Sequence, residues 1–184
     1  EHERVHYLGV AYADEGIELR SHGITIPIMV MNPEPVAMET LHRFRLEAEV
    51  YDLRSLNEAI ASAKRMPDAP PVHIKLDTGM HRLGFTEGDL TGLLDTLRGQ
   101  HMLKVASILS HLVASEDAAQ DDFTRAQTAS FTRMANAIGD RARIGEVAVN
   151  LRRGAAVDCA QAGEYRRHGD AGGHGKPRLL RLTR

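Results

Sequence analysis

The stretch VHIKLDTGMHRLGF, residues 72–85, holds the densest reactive chemistry in the chain. As a strand, its period-two alternation sends Val72, Ile74 and Leu76 to one face and His73, Lys75 and Asp77 to the other. The turn that follows delivers Arg82. A lysine pointing into a barrel interior is costly unless it is paired or neutralised. Lys75 and Arg82 close together would also repel, so an anion is expected between them. Asp77 could supply it, as could a substrate carboxylate or a carbamate made from Lys75 and carbon dioxide. Burial beside Arg82 favours the uncharged amine that carbamylation needs, and the product would pair with the arginine. The plainer alternative is a structural Lys75–Asp77 pair with Arg82 at the surface.

A second candidate lies in SILSHLVASED, where His111 alternates onto the face of Ser107 and Leu109 near the C-terminal end of a strand. A packing role for this histidine remains the alternative. Ser110 and His111 point to opposite faces and so cannot act as nucleophile and base. The ten histidines show no pair at metal-ligand spacing with a carboxylate partner, and Cys159 is the single cysteine, so no metal is expected. One cysteine cannot cross-link the chain to itself, which fits a reducing compartment and a cytoplasmic location.

The elements that must position these residues follow one theme up to about residue 142: a short apolar run, a polar turn, then a segment with helical spacing. Strands are expected at Tyr7–Ala11, Ile26–Met31, Glu47–Tyr51, within VHIKLDT, and in VASILSHL. Helices are expected at Asp14–His22 with an Asp cap and a closing Gly23, at about Val36–Phe44, over LRSLNEAIASAK, at about Glu87–Arg98, and over Ala118–Ile138. In the last, Phe123, Ala126, Ala129 or Ser130, Phe131, Met134 and Ala137 recur at three- and four-residue steps. Strict alternation predicts parallel strands with helices outside. The expected fold is α/β, a partial TIM-type (β/α)8 barrel of about five to six consecutive βα units. A five-stranded open doubly wound sheet is the runner-up, but no Gly-rich phosphate turn follows the first strand.

Composition is that of an ordinary globular protein, 42% hydrophobic and 26% charged across 184 residues. No apolar run approaches the ~20 residues needed to cross a bilayer, and the start lacks a secretory layout, so no membrane partner is expected. The net charge of −2 argues against nucleic acid. It conceals a split: residues 1–150 carry 15 Lys and Arg against 22 Asp and Glu, whereas residues 151–184 carry 8 against 3. Residues 1–143 are thus expected to form the barrel portion. Residues 144–184 form an atypical basic tail: solvated or disordered, a nucleic-acid-binding arm, or the out-of-frame reading of a GC-rich gene.

Three segments in order, AYADEGIELRSHGITIPIMVMNPE, HIKLDTGMHRLGF and SILSHLVASED, resemble the N-terminal barrel domain of alanine racemases. The phrase GITIPIMVMNPE is similar to the racemase part of bifunctional bacterial proteins whose other half is a UDP-N-acetylmuramoyl-tripeptide:D-alanyl-D-alanine ligase. The resemblance implies a pyridoxal 5'-phosphate barrel joined to a β domain and working as a homodimer. Its reaction would be the interconversion of L- and D-alanine for peptidoglycan synthesis. By motif, Lys75 resembles the lysine carbamylated in many members, and Arg82 the arginine it orients near the substrate carboxylate and the cofactor's phenolic oxygen. His111 resembles the histidine beneath the cofactor ring, and Met31 stands where an apolar residue lines the cofactor pocket.

The departures are equally specific. The Schiff-base lysine belongs to a first strand with a motif like VKANAYGHG, and this chain begins after it. Lys64, Lys104 and Lys176 do not replace that lysine. The second base is a tyrosine of the β domain, and Tyr7, Tyr12, Tyr51 and Tyr165 match no such motif. RIGEVAVNLRRGAAVD stands where an ANSAG-like phosphate-binding strand end belongs, with Asn150 at most a remnant. The chain alone is therefore expected to be inactive and poorly soluble, with open sheet edges. A non-catalytic pyridoxal-phosphate barrel and a binding protein led by the basic tail remain as alternatives.

Overall fold

A computed structural model describes residues 7–34, 38–115, 117–141 and 148–153. The structure consists of one six-stranded sheet with helices packed against one face. The strands are β1 (Leu8–Val10), β2 (Ile28–Val30), β3 (Glu47–Val50), β4 (Val72–Lys75), β5 (Val105–Leu112) and β6 (Ala148–Arg153). The helices between them are α1 (Ala13–Ser21), α2 (Met38–Arg43), α3 (Leu53–Arg65), α4 (Leu90–Arg98) and α5 (Asp121–Arg141). Single 3₁₀ turns at Glu87–Asp89 and Ala118–Gln120 lead into α4 and α5.

All neighbouring strands are parallel and their spatial order is their chain order, β1-β2-β3-β4-β5-β6. That order decides between the two expected architectures. A doubly wound sheet reverses direction at a switch point, whereas a barrel adds every strand on the same side. The sheet is a partial barrel, and β1 and β6 are its edges among the described residues. No described helix is long and apolar enough to cross a membrane.

The sixth strand lies beyond the expected barrel boundary. Residues 148–153 continue the sheet, with Leu109 opposite Asn150 and Leu112 opposite Arg153. The sequence reading missed this strand because its apolar run is short and ends within it in Arg152 and Arg153, with a glycine directly after. The expectations for residues 154–184 lie outside the described residues.

The helix-facing side of the sheet carries Ile28, Val30, Ala48, Val50, Val72, Ile74 and Ile108, all at most 4% exposed. Across from it α3 presents Leu56, Ala59, Ile60 and Ala63, an i, i+3, i+4, i+7 stripe, and α4 presents Leu93, Leu94 and Leu97. Burying each leucine contributes roughly 1.5–3 kcal/mol, so this layer is the main source of stability. On α5 the buried stripe is Gln127, Phe131, Met134, Ala135 and Ile138. Phe131 and Met134 lie on it as expected, whereas Phe123 is 38% exposed and Ala126 and Ala129 face solvent. Alternating alanines carry too little hydrophobic weight to fix a helix face from sequence.

Local signals behave as chemistry requires, with one correction. Asp52 caps α3, its carboxylate accepting the Ser55 amide at 2.7 Å. Asp14 does not cap α1; it lies inside the first turn, and the Glu15 carboxylate reaches back to the Ala11 amide at 2.7 Å. Arg20, on α1, closes the N-terminal end of the sheet by donating to the carbonyls of Ile24 and Ile26 at 2.8 Å, Phe44 at 3.0 Å and Arg45 at 2.8 Å. Burial and then the charge of Arg45 lower its pKa.

Candidate active site

The face of the sheet away from the helices is the concave, lumen-facing one. Strand alternation places Glu47, Glu49, His73, Lys75, Ser107, Leu109 and His111 there, because their neighbours in each strand fill the apolar core. Two acid–base pairs run across β3 and β4. Nearer the strands' N-terminal ends, His73 Nε2 lies 2.9 Å from Glu47 Oε2 and His73 Nδ1 lies 2.6 Å from Ser107 Oγ. An ionised carboxylate only accepts, so Nε2 donates to Glu47 and, in the neutral ring, Nδ1 accepts from the serine hydroxyl. Tyr7 meets the same ring edge-on, with centroids 5.4 Å apart and its hydroxyl 3.2 Å from Nε2.

One layer toward the C-terminal end, Lys75 Nζ donates to Glu49 Oε2 at 3.2 Å. The glutamate side chain is 0% exposed and the lysine side chain 11%. This corrects the alternative in which Asp77 pairs with Lys75. The counter-ion comes from a different strand, and no spacing within residues 72–85 could have indicated it.

Asp77 serves the loop instead. Its Oδ1 accepts from the amides of Gly79 at 2.9 Å and His81 at 3.0 Å. Burial pushes its carboxyl up, but those two amides, the charge of His81 and the Met80 amide outweigh this and hold it below its ordinary value. The loop closes on the strand it left. The Asp77 amide donates to the Phe85 carbonyl and the Phe85 amide to the Lys75 carbonyl, both at 2.9 Å, and Leu76 bridges Phe85. Phe85 is 1% exposed and anchors the return. Gly84, at φ +135°, passes so close that a Cβ would lie 2.4 Å from the Asp77 nitrogen. Arg82 projects from this loop and is exposed.

His111 sits near the C-terminal end of β5, half-buried, directly opposite Arg152 of β6 in the strand register. The backbone around it is held from α5. Gln127, 1% exposed, accepts from the Val113 amide at 3.1 Å and donates to the His111 carbonyl at 3.2 Å. Ser110 points away from the lumen, as expected, donating to the Leu76 carbonyl at 2.8 Å and meeting Thr78 Oγ1 at 2.8 Å. Met31 follows β2, half-buried, with its amide donating to the Val10 carbonyl at 2.8 Å. Tyr51 stands at the corresponding end of β3. Burial first, then Asp52 and Glu49, push its phenol up, which keeps its proton on at neutral pH.

Met31, Lys75 with Asp77, and His111 therefore stand at the C-terminal ends of β2, β4 and β5, the end of the sheet from which the loop bearing Arg82 departs and where barrel proteins assemble their chemistry. Glu49 and the Glu47–His73–Ser107 set escaped the sequence reading. Their one signal was the alternation of EAEV, with both acids on one face. Among the described residues no group of three His, Cys, Asp or Glu side chains is placed to hold a metal ion.

The arrangement has relatives. A sequence model of the family described as alanine racemase, N-terminal domain, matches residues 1–158. Alanine racemase 2 of Caldanaerobacter subterraneus subsp. tengcongensis is 32% identical over 133 residues, covering 71% of this chain and 34% of that protein. Among solved structures, the alanine racemase of Clostridium difficile 630 superposes with a TM-score of 0.74 at 27% identity, over 87% of this chain and 42% of that one. The Bartonella henselae alanine racemase with covalently bound pyridoxal phosphate shares the fold, with a TM-score of 0.68 at 22% identity over 79% and 41% of the two chains. The chain thus spans between a third and a half of the length of these relatives.

Proposed function

Because the chain belongs to the alanine racemase N-terminal domain family, we propose that it supplies the central strands of a racemase barrel and, with them, part of an alanine-binding active site. The observation that carries this reading is the lumen-facing Lys75 at the end of β4, onto whose carbonyl the 77–85 loop bearing Arg82 closes. Pyridoxal 5'-phosphate is the cofactor; when bound, it draws electron density from the amino acid's α-carbon and loosens the α-proton. Met31 and His111 suit the surroundings of its ring, one an apolar wall and the other a planar hydrogen-bonding group. Arg82 offers a guanidinium for the substrate carboxylate, a bidentate match of planar groups.

The fit is incomplete in one respect. Lys75 is engaged by Glu49, and Lys64 and Lys104 are exposed, on α3 and before β5, so none of these offers a free amine at the strands' C-terminal ends. The described residues therefore account for the ring's surroundings and not for its covalent attachment. The attachment lysine and the second base are assigned to parts of the protein beyond these residues, and the chain alone is inactive. The same reading extends to a full-length cytoplasmic homodimer that supplies D-alanine for peptidoglycan. Its partner domain would be a UDP-N-acetylmuramoyl-tripeptide:D-alanyl-D-alanine ligase, supported by the GITIPIMVMNPE stretch.

A chimera tests this. Residues 7–153 replace the matching stretch of a full-length alanine racemase, and turnover of L- to D-alanine is followed with added cofactor. The chimera is expected to racemise alanine and to lose that activity with Arg82→Ala, while the 184-residue chain alone shows none. A folded chimera without activity, or turnover by the isolated chain, refutes the reading.

A further inference from the structure

Three features lie outside the role given to Arg82 and His111: the Glu47–His73–Ser107 chain and the Glu49–Lys75 pair on the lumen face, and the clamp that Gln127 of α5 places on the end of β5. The first has the residue types of a hydrolytic relay, but Ser107 and His73 are 4% and 3% exposed and are satisfied by each other and by Glu47, leaving a substrate no approach. Gln127 is committed to backbone groups. The Glu49–Lys75 pair carries further.

We propose that Glu49 is a positioning residue whose buried carboxylate holds the Lys75 ammonium and so takes the place that a carbamate on this lysine would otherwise fill. The inference deepens the racemase reading and rests on it for the importance of Lys75. Carbamylation would proceed as follows. The ammonium gives a proton to solvent, the nitrogen lone pair bonds to the carbon of carbon dioxide, one C=O electron pair moves onto oxygen, and a second proton leaves the nitrogen. The side-chain charge changes from +1 to −1.

At a distance of 3.2 Å from a carboxylate that is 0% exposed, that change turns an attraction into a repulsion in surroundings where water screens little. Asp77, two residues on, is committed to its own loop through the amides of Gly79 and His81. Glu49 is also placed firmly. It lies opposite His73 in the β3–β4 register, two residues beyond Glu47, which pairs with His73 in the same manner one layer below. Each inward base of β4 thus meets the acid of β3 set two residues back from its register partner, and the anion that the sequence called for beside Lys75 is built into β3.

The test is carbon-13 NMR of the 184-residue chain in labelled bicarbonate, with far-UV circular dichroism confirming that each protein is folded. Wild type is expected to show no carbamate resonance. Glu49→Gln is expected to show one, and adding Lys75→Arg is expected to remove it. A Lys75-dependent carbamate in wild type overturns the proposal and needs no variant other than Lys75→Arg to establish it. Absence of the resonance from folded Glu49→Gln as well as from wild type also overturns it, since Glu49 would then not be what excludes the modification. Neither result depends on turnover, so they separate from failure of the chimera.

Discussion

Replacing Gly84 by alanine tests the loop that carries Arg82. A Cβ at this position would lie 2.4 Å from the Asp77 nitrogen, 2.7 Å from the Leu76 carbonyl carbon and 3.0 Å from the Asp77 Cα. All three are backbone atoms, and they cannot retreat cheaply, because the Asp77 amide is bonded to Phe85 and Phe85 to Lys75. The backbone itself resists, since φ +135° is a region that side-chain-bearing residues seldom adopt. Strained dihedrals of this kind cost about 1–3 kcal/mol. Forcing an extra methyl group into a closed space costs about 1–3 kcal/mol more. A loss of about 2–6 kcal/mol is a large part of the ~5–15 kcal/mol typical of a domain. Urea unfolding measures it, with Gly88→Ala as the control. A Cβ there meets only Thr86 Oγ1, at 3.6 Å, so that variant should stay within about 0.5 kcal/mol of wild type. If Gly84→Ala unfolds at the same midpoint as Gly88→Ala with an unchanged slope, the loop does not close on β4 as described and the placement of Arg82 fails with it.

Four further outcomes are expected. Glu49→Leu alone should destabilise by about 3–5 kcal/mol by stranding the Lys75 charge, whereas Glu49→Leu with Lys75→Met should be near neutral; a double-mutant cycle in urea reads the coupling. Because Asp77 has a depressed carboxyl, its stabilisation is complete above its ordinary value of 3.8 and disappears as pH falls through the lower folded value. The stability difference between wild type and Asp77→Asn should therefore be flat near neutrality and close in acid, and a difference that grows below pH 4 would contradict the loop geometry. Arg20→Lys should lower the urea midpoint, since one ammonium cannot serve four carbonyls on diverging lines, with about 1.5–3 kcal/mol at stake for each charged hydrogen bond lost. In the chimera, Gln127→Ala should cost about 1–3 kcal/mol through the unmet Val113 amide, and it should raise KM if His111 faces the substrate pocket.

The alternation of apolar runs and helical segments determined the class of fold from sequence, because burial on two faces leaves a periodic signature in each element. The same local rules located Lys75, Asp77 and His111 at strand ends and placed Arg82 in the following loop. Spacing alone could not separate a barrel from an open sheet. That choice rests on which strands pair, and only the unbroken order β1 to β6 settles it. Nor could it supply the partner of Lys75. Asp77 is two residues away and Glu49 is 26, yet the nearer acid turns to loop amides while the farther one meets the lysine diagonally from the neighbouring strand. Contacts within an element follow from periodicity; contacts between elements follow from registers that no single stretch of chain encodes. The sixth strand makes the same point, since its pairing with β5, more than its own residues, makes 148–153 part of the sheet.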